Sequence, residues 1–221
     1  MMQRILEAEL MNDPEQAKAY AEADFSEANQ LFLALFEQTF PDHIPRQVVD
    51  LGCGPGEITL TFASRYSSCR ITGIDGSPAM LKLARQRLRH QPQLASRISF
   101  RCERLPIPEP FPCYDTILSN SLLHHLPDPL TLWQQIQAWG KPGGAVLVMD
   151  LKRPPSRKTA QAIVASHAAD APAILQKDFY NSLCAAFMEE EVKRQLKQSG
   201  LEDFQVRTVS DRHLAVTGQL K

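Results

Sequence analysis

The stretch that most constrains this chain is Val48-Val49-Asp50-Leu51-Gly52-Cys53-Gly54-Pro55-Gly56-Glu57-Ile58. Its apolar residues read as a buried strand, and the glycines behind them predict a tight turn into a helix. Such a turn lets backbone approach a ligand closely, and the helix start supplies N–H groups with no partner inside the helix. The spacing Gly52-x-Gly54-x-Gly56 puts Glu57 where a G-x-G-x-x-G dinucleotide fingerprint would have its third glycine. Asp50 stands inside the strand end itself.

Upstream, Asp13-Pro14 is a capped helix start, and a break near Asp24-Phe25-Ser26 precedes a second helix. That helix carries Leu31, Phe32, Leu35, Phe36 and Phe40 on one face. Downstream, Arg70–Ile74 is a short strand closing on Asp75, and Gly76-Ser77-Pro78 starts another helix, which includes Met80. A carboxylate at that strand end offers two acceptor oxygens at the spacing of a ribose diol. Ile98–Cys102 reads as a third strand, followed by Glu103-Arg104-Leu105-Pro106, with Pro108, Pro110 and Pro112 imposing an irregular connection. Tyr114–Ser119 is a fourth strand running into Asn120-Ser121-Leu122-Leu123-His124-His125-Leu126-Pro127-Asp128. Leu130–Ala138 is a helix, Lys141-Pro142-Gly143-Gly144 a turn, and Ala145–Met149 a fifth strand ending at Asp150. This strand–helix alternation implies a parallel sheet joined by right-handed crossovers.

The pattern D-x-G-x-G-x-G closely resembles motif I of the class I S-adenosylmethionine-dependent methyltransferases. Asp75 with Gly76-Ser77-Pro78-Ala79-Met80 resembles their motif II. The Leu-His-His-Leu-Pro-Asp-Pro stretch at 123–129 resembles motif IV of the small-molecule branch related to quinone C-methyltransferases. The resemblance implies a Rossmann-like α/β three-layer sandwich, with a mostly parallel seven-stranded sheet ending in an antiparallel hairpin. Phe204–Val209 and His213–Thr217 would form that hairpin. It implies cofactor contacts from Asp50, Gly52, Cys53, Gly54 and Gly56 to the methionine end. Asp75, Gly76 and Met80 would hold the ribose side, Cys102 and Glu103 the adenine, and Asn120 the methionine part. Arg101 stands where the family often has its adenine-side acid, and Glu103 comes two positions later.

The acceptor side is less legible. By resemblance, residues 1–45 form a helical lid over the 46–221 cofactor domain, bringing Tyr20, Asp24 or Phe25 near the acceptor; plain packing on the sheet edge is the alternative. A helical insert at about 155–188 holds two helices, with Asp178, Tyr180 and Asn181 as acceptor candidates. His124 is the candidate general base, against a structural histidine bonded to backbone. No metal is expected, because no cysteine or carboxylate cluster accompanies the adjacent histidines at ligand spacing in the sequence.

Methyl transfer is a displacement on a sulfonium that carries its own activation, so the protein mainly positions the partners and excludes water. The sequence reads as a cytoplasmic enzyme methylating a small or medium organic acceptor. The formal net charge of −1 gives no footprint for nucleic acid. No apolar run is long enough for a membrane span, the first residues lack a signal-peptide core, and five cysteines without a C-x-x-C pair suit free thiols. Two other readings stay open: a protein that binds S-adenosylmethionine without methylating, and an NAD-dependent oxidoreductase on a related sheet.

Overall fold

The computed structural model describes residues 2–7, 13–108 and 114–221; Pro110, Pro112 and Cys113 lie outside them. Helix α1 (Pro14–Glu22) starts as the sequence predicts: Asp13 accepts hydrogen bonds from the amides of Glu15 and Gln16. Helix α2 (Ser26–Thr39) buries Phe32, Leu35 and Phe36. An alternation then follows: β1 (Gln47–Leu51), α3 (Glu57–Arg65), β2 (Arg70–Asp75), α4 (Pro78–Arg89), β3 (Ile98–Cys102) and β4 (Tyr114–Asn120). Ser77 caps α4 by accepting from the Met80 amide at 3.2 Å. A single 3₁₀ turn at Leu123–His125 leads to α5 (Leu130–Trp139) and β5 (Gly140–Leu151). Helices α6 (Arg157–His167), α7 (Ala173–Ala185) and α8 (Glu189–Gln198) precede the hairpin β6 (Gln205–Thr208) and β7 (His213–Gln219).

The strands form one seven-stranded sheet in the order β3-β2-β1-β4-β5-β7-β6. The first five strands run parallel, and β7 pairs antiparallel with both β5 and β6. Successive strand residues face opposite layers. Val49, Leu51, Ile117, Val146 and Val148 pack with α5 and α8, whereas Val48, Ile71, Leu118, Leu147 and Met149 pack with α2 and α3. Trp133 and Trp139 fill the first layer, and the Trp133 indole donates to Gln195 Oε1 at 3.0 Å, fastening α5 to α8.

One local expectation changes. Lys141–Gly144, expected as a turn, belongs to β5: Gly140 pairs with Tyr114 across an irregular register. The Gly143 amide donates to Leu220 O at 2.7 Å and Leu220 donates back to Gly144 at 3.0 Å, so the C-terminus stitches these glycines into extended structure. Asp178–Ser182 lies inside α7.

The chain winds from β1 outward through β2 and β3, then crosses to β4 on the other side of β1. The carboxyl ends of β1 and β4 therefore flank the topological switch point, where an open parallel sheet leaves a crevice.

Candidate functional site

The crevice is built from the carboxyl ends of β1, β2 and β4. After Leu51, Gly52 and Gly54 adopt φ of +72° and +52°, a left-handed backbone that side chains disfavour. The amides of Gly52 and Cys53 donate to Ile74 O at 2.8 and 3.0 Å, holding the turn against β2. A Cβ on Gly52 would strike Leu122 at 2.8 Å, while one on Gly54 would meet nothing within 4 Å. The turn is thus packed on one side and open on the other.

Asp75 stands at the wall of this cavity. Its Oδ2 accepts from the Gly54 amide at 2.8 Å and its Oδ1 from the Ser77 amide at 2.7 Å. Burial pushes its carboxyl above the usual range, and these two amides pull the other way. Each oxygen keeps a second lone pair, the arrangement that a vicinal diol requires. Across the cavity, Asn120 ends β4 with Oδ1 buried and without a hydrogen-bond partner. The next residue, Ser121, takes φ +57°, uncommon for a non-glycine, and its amide donates to Met149 O at 2.9 Å. A buried orphan acceptor is costly, so Asn120 is suited to receive a ligand's ammonium.

The remaining walls are Met80 from α4, Glu103 and Arg104 after β3, and Leu122, His125 and Leu126 after β4. Glu103 is ion-paired with Arg101, and its amide donates to Asp75 O at 3.1 Å. Tyr20 of α1 closes the cavity from above. Burial, then the charges of Glu57 and Asp75, push its phenol up to about 12, so it remains a neutral donor. Arg87 anchors this helix by donating to Ala21 O and to Pro55 O, and by pairing with Glu57 at 3.3 Å.

The structure brings together Gly52, Gly54, Asp75, Gly76, Met80, Glu103, Asn120 and Tyr20 around one cavity. Other expected residues stand outside its lining. Asp50 is buried beneath the turn, where Thr59 donates to its Oδ2 at 2.5 Å. Burial and the charge of Asp75, opposed by Thr59, push its carboxyl up to about 7. Cys53 is buried, Gly56 begins α3 with Ala84 and Phe100 against it, and Cys102 is exposed. Asp24 is exposed and accepts from the Ser26 amide at 2.9 Å, at the entry to α2. Phe25 stacks on Tyr20 at 4.7 Å between ring centroids. On α7, Tyr180 packs against the small apolar cluster of Leu151, Ile163 and Leu183; Asn181 is half-buried, and Asp178 accepts from Gln16 of α1 at 2.6 Å.

His124 is buried away from the cavity wall. Its Nδ1 lies 2.5 Å from Asp150 Oδ1, and its backbone amide donates to Asp150 Oδ2 at 3.3 Å. Burial opposes a charge on this imidazole, but Asp150 outweighs it and the pKa is raised. Burial likewise opposes charge on Asp150, and His124 holds its carboxyl below the usual range. The neighbouring His125 is the histidine that reaches the cavity, a distinction that two adjacent histidines in a sequence do not carry.

The match to a methyltransferase-domain family model covers residues 49–146. Trans-aconitate 2-methyltransferase of Methylobacterium radiotolerans is 38% identical over 128 residues, which is 57% of this chain and 46% of that protein. The ubiquinone biosynthesis O-methyltransferase of Bordetella pertussis is 31% identical over 130 residues, 58% of this chain and 52% of that one. The chain spans about half the length of the curated relatives it matches. Among solved structures, plantazolicin methyltransferase BpumL in complex with SAH superposes with a TM-score of 0.72 at 17% identity, covering 95% of this chain and 91% of that one. A SAM-dependent methyltransferase from Aquifex aeolicus gives 0.65 at 18% identity, covering 95% and 99%.

Proposed function

We propose that this chain, a member of the class I S-adenosylmethionine-dependent methyltransferase superfamily, uses that cofactor to methylate a small organic acceptor. The observation that carries the reading is Asp75: a carboxylate at the end of β2, fixed by two amides, with two lone pairs turned to a glycine-lined cavity. That carboxylate suits the ribose diol. The unpartnered Asn120 Oδ1 suits the methionine ammonium, and Gly54 leaves room above the turn. Glu103 and Met80 line the same cavity, and we assign them to the adenine side.

The cofactor supplies a sulfonium-activated methyl group, so no protein nucleophile is needed. The chain's own task is to orient donor and acceptor and to keep water out. Tyr20 and the anchored helix α1 serve that second task as a lid, with residues 46–221 forming the cofactor domain and α7 flanking the lid. Leu105, Leu122 and Leu126 make an apolar floor, and Arg104 brings a guanidinium to the same cavity. A small carboxylic acid therefore fits the wall, which accords with the trans-aconitate named for several relatives. His124 is engaged by Asp150, and we assign it to the frame of the site, with the acceptor's approach left to His125. No helix among the described residues is long and apolar enough to cross a membrane, and Cys53, Cys69, Cys102 and Cys184 are free thiols; we place the protein in the cytoplasm.

The test is turnover. Purified protein with S-adenosylmethionine and a panel of small mono-, di- and tricarboxylic acids should release S-adenosylhomocysteine with at least one acid, alongside a product heavier by one methyl group. Binding of the cofactor with no product from acids, phenols or amines would instead favour a non-methylating S-adenosylmethionine-binding protein.

A further inference from the structure

Beside the cavity, the N-terminal segment crosses the carboxyl edge of the sheet. The Ile5 amide donates to Cys184 O at 3.0 Å. Arg4 donates through Nε to Ala185 O at 2.6 Å, and through one NH₂ group to the carbonyls of His124 and Leu126 at 2.9 Å each. This pinning delivers Glu7 to the histidine pair. Its Oε1 lies 3.0 Å from Nδ1 of His125 and 3.5 Å from Nε2 of His124. One donor atom from each of the three residues lies within 4.8 Å of the other two.

We propose that Glu7, His124 and His125 form a mononuclear site for a divalent first-row transition metal of the zinc type. Three observations support it. First, Glu7 Oε1 stands 3.0 and 3.5 Å from the two imidazole nitrogens, close to the roughly 3.0–3.4 Å that separates two ligands bonded at about 2.0–2.1 Å to one ion, so a small closure of the two rings would complete the site. Second, Asp150 takes the Nδ1–H of His124 at 2.5 Å, which turns the Nε2 lone pair toward Glu7. A carboxylate behind a ligating histidine is the usual way that a metal site fixes tautomer and ring orientation. Ser182 does the same for Glu7, donating to its Oε1 at 2.9 Å. Third, Nδ1 of His125 is buried without a well-aligned hydrogen bond, although Glu7 faces it.

The donor set narrows the ion. Two imidazoles and one carboxylate favour zinc, iron(II), cobalt(II) or nickel(II) over magnesium or calcium, which prefer all-oxygen shells. Two carboxylates, Glu7 as ligand and Asp150 behind His124, offset an ion's charge, while Arg4 beside them partly opposes it. Because His125 also lines the cavity, an ion here would lie at its wall, where open coordination positions could take an oxygen of the acceptor. The site is invisible in sequence because Glu7 stands far ahead of the two histidines in the chain. It departs from the expectation that no carboxylate accompanies them.

The test uses untagged full-length protein, stripped with a chelator, dialysed, and titrated with cobalt(II) alone. One ion per chain should bind, with visible ligand-field bands and without sulfur-to-metal charge transfer. Glu7→Gln and His125→Asn should each weaken cobalt(II) binding by at least about tenfold. Ser182→Ala, which removes only the hydroxyl orienting Glu7, should weaken it by a smaller factor and stands in if either ligand variant fails to fold. Absence of bands in the wild type, a thiolate signature, or wild-type affinity in the folded variants would overturn the site. None of these outcomes depends on methyl transfer, so the metal proposal and the methyltransferase reading can fail separately.

Discussion

Asp75 and Gly52 are the single residues on which the proposed cofactor side of the cavity rests. Removing the Asp75 carboxylate takes away charge-assisted hydrogen bonds to a bound diol, each worth about 1.5–3 kcal/mol. Asp75→Ala should therefore weaken S-adenosylhomocysteine binding by roughly a hundredfold or more, measured by calorimetry. Unchanged affinity would remove the ribose assignment. Gly52→Ala forces a methyl group onto Leu122 at 2.8 Å and an alanine into φ +72°. It should cost on the order of 1–3 kcal/mol in urea unfolding, more than Gly54→Ala, whose methyl would meet open space. The places of both at the cavity were legible in sequence, because glycine favours a left-handed turn and a strand-end acid is a local signal. Asn120 was legible too, from its place at a strand end. The separate fates of His124 and His125 were not, since the direction of each ring depends on a short 3₁₀ turn and on Asp150, which is remote in sequence.

At the scale of elements, Arg87 couples helix α1 to the glycine turn. The guanidinium bridges Ala21 of α1, Pro55 of the turn and Glu57 of α3. Arg87→Ala should loosen α1, giving faster amide exchange over residues 14–22. It should also weaken S-adenosylhomocysteine binding several-fold, as the loss of about 0.5–1.5 kcal/mol per hydrogen bond implies. Equal exchange in the two proteins would show that α1 is held by other contacts. The strands and helices around the sheet were readable because their apolar periods and proline caps are local signals. The β5 start at Gly140 was not, because Pro142-Gly143-Gly144 has turn composition and is extended only by pairing with the distant C-terminus. The packing of half-buried Tyr180 against the cluster around α6 and α7 likewise depends on contacts that the sequence does not display.

For the whole molecule, the buried titrating groups set a pH window of stability. His213 is buried on β7, bonded to Ser210 Oγ at 2.9 Å, and burial followed by the Arg212 charge pushes its pKa from 6.5 down to about 4. The neutral form is the one that the fold accepts, so its contribution is present above 6.5 and is lost as pH falls toward 4. His213→Gln should flatten the decline in urea stability between pH 7 and pH 4.5, and an unchanged decline would place its cause elsewhere. His124 has the opposite sign: its raised pKa means a contribution that is full below 6.5 and is lost as pH rises through the folded value. Asp150, with its lowered pKa, contributes above 3.8 and loses that contribution as pH falls further. Breaking the pair from one side, as in Asp150→Ala, leaves a buried charge and should cost about 3–5 kcal/mol.

The sheet order, the open glycine turn and the free face of Asp75 all converge on one claim, that this cavity holds S-adenosylmethionine. The most direct test is a calorimetric titration of the purified protein with S-adenosylhomocysteine, with NAD⁺ as the control ligand. The account predicts saturable one-to-one binding of S-adenosylhomocysteine, weakened in Asp75→Ala, and no binding of NAD⁺. Binding of NAD⁺ with none of S-adenosylhomocysteine would contradict it.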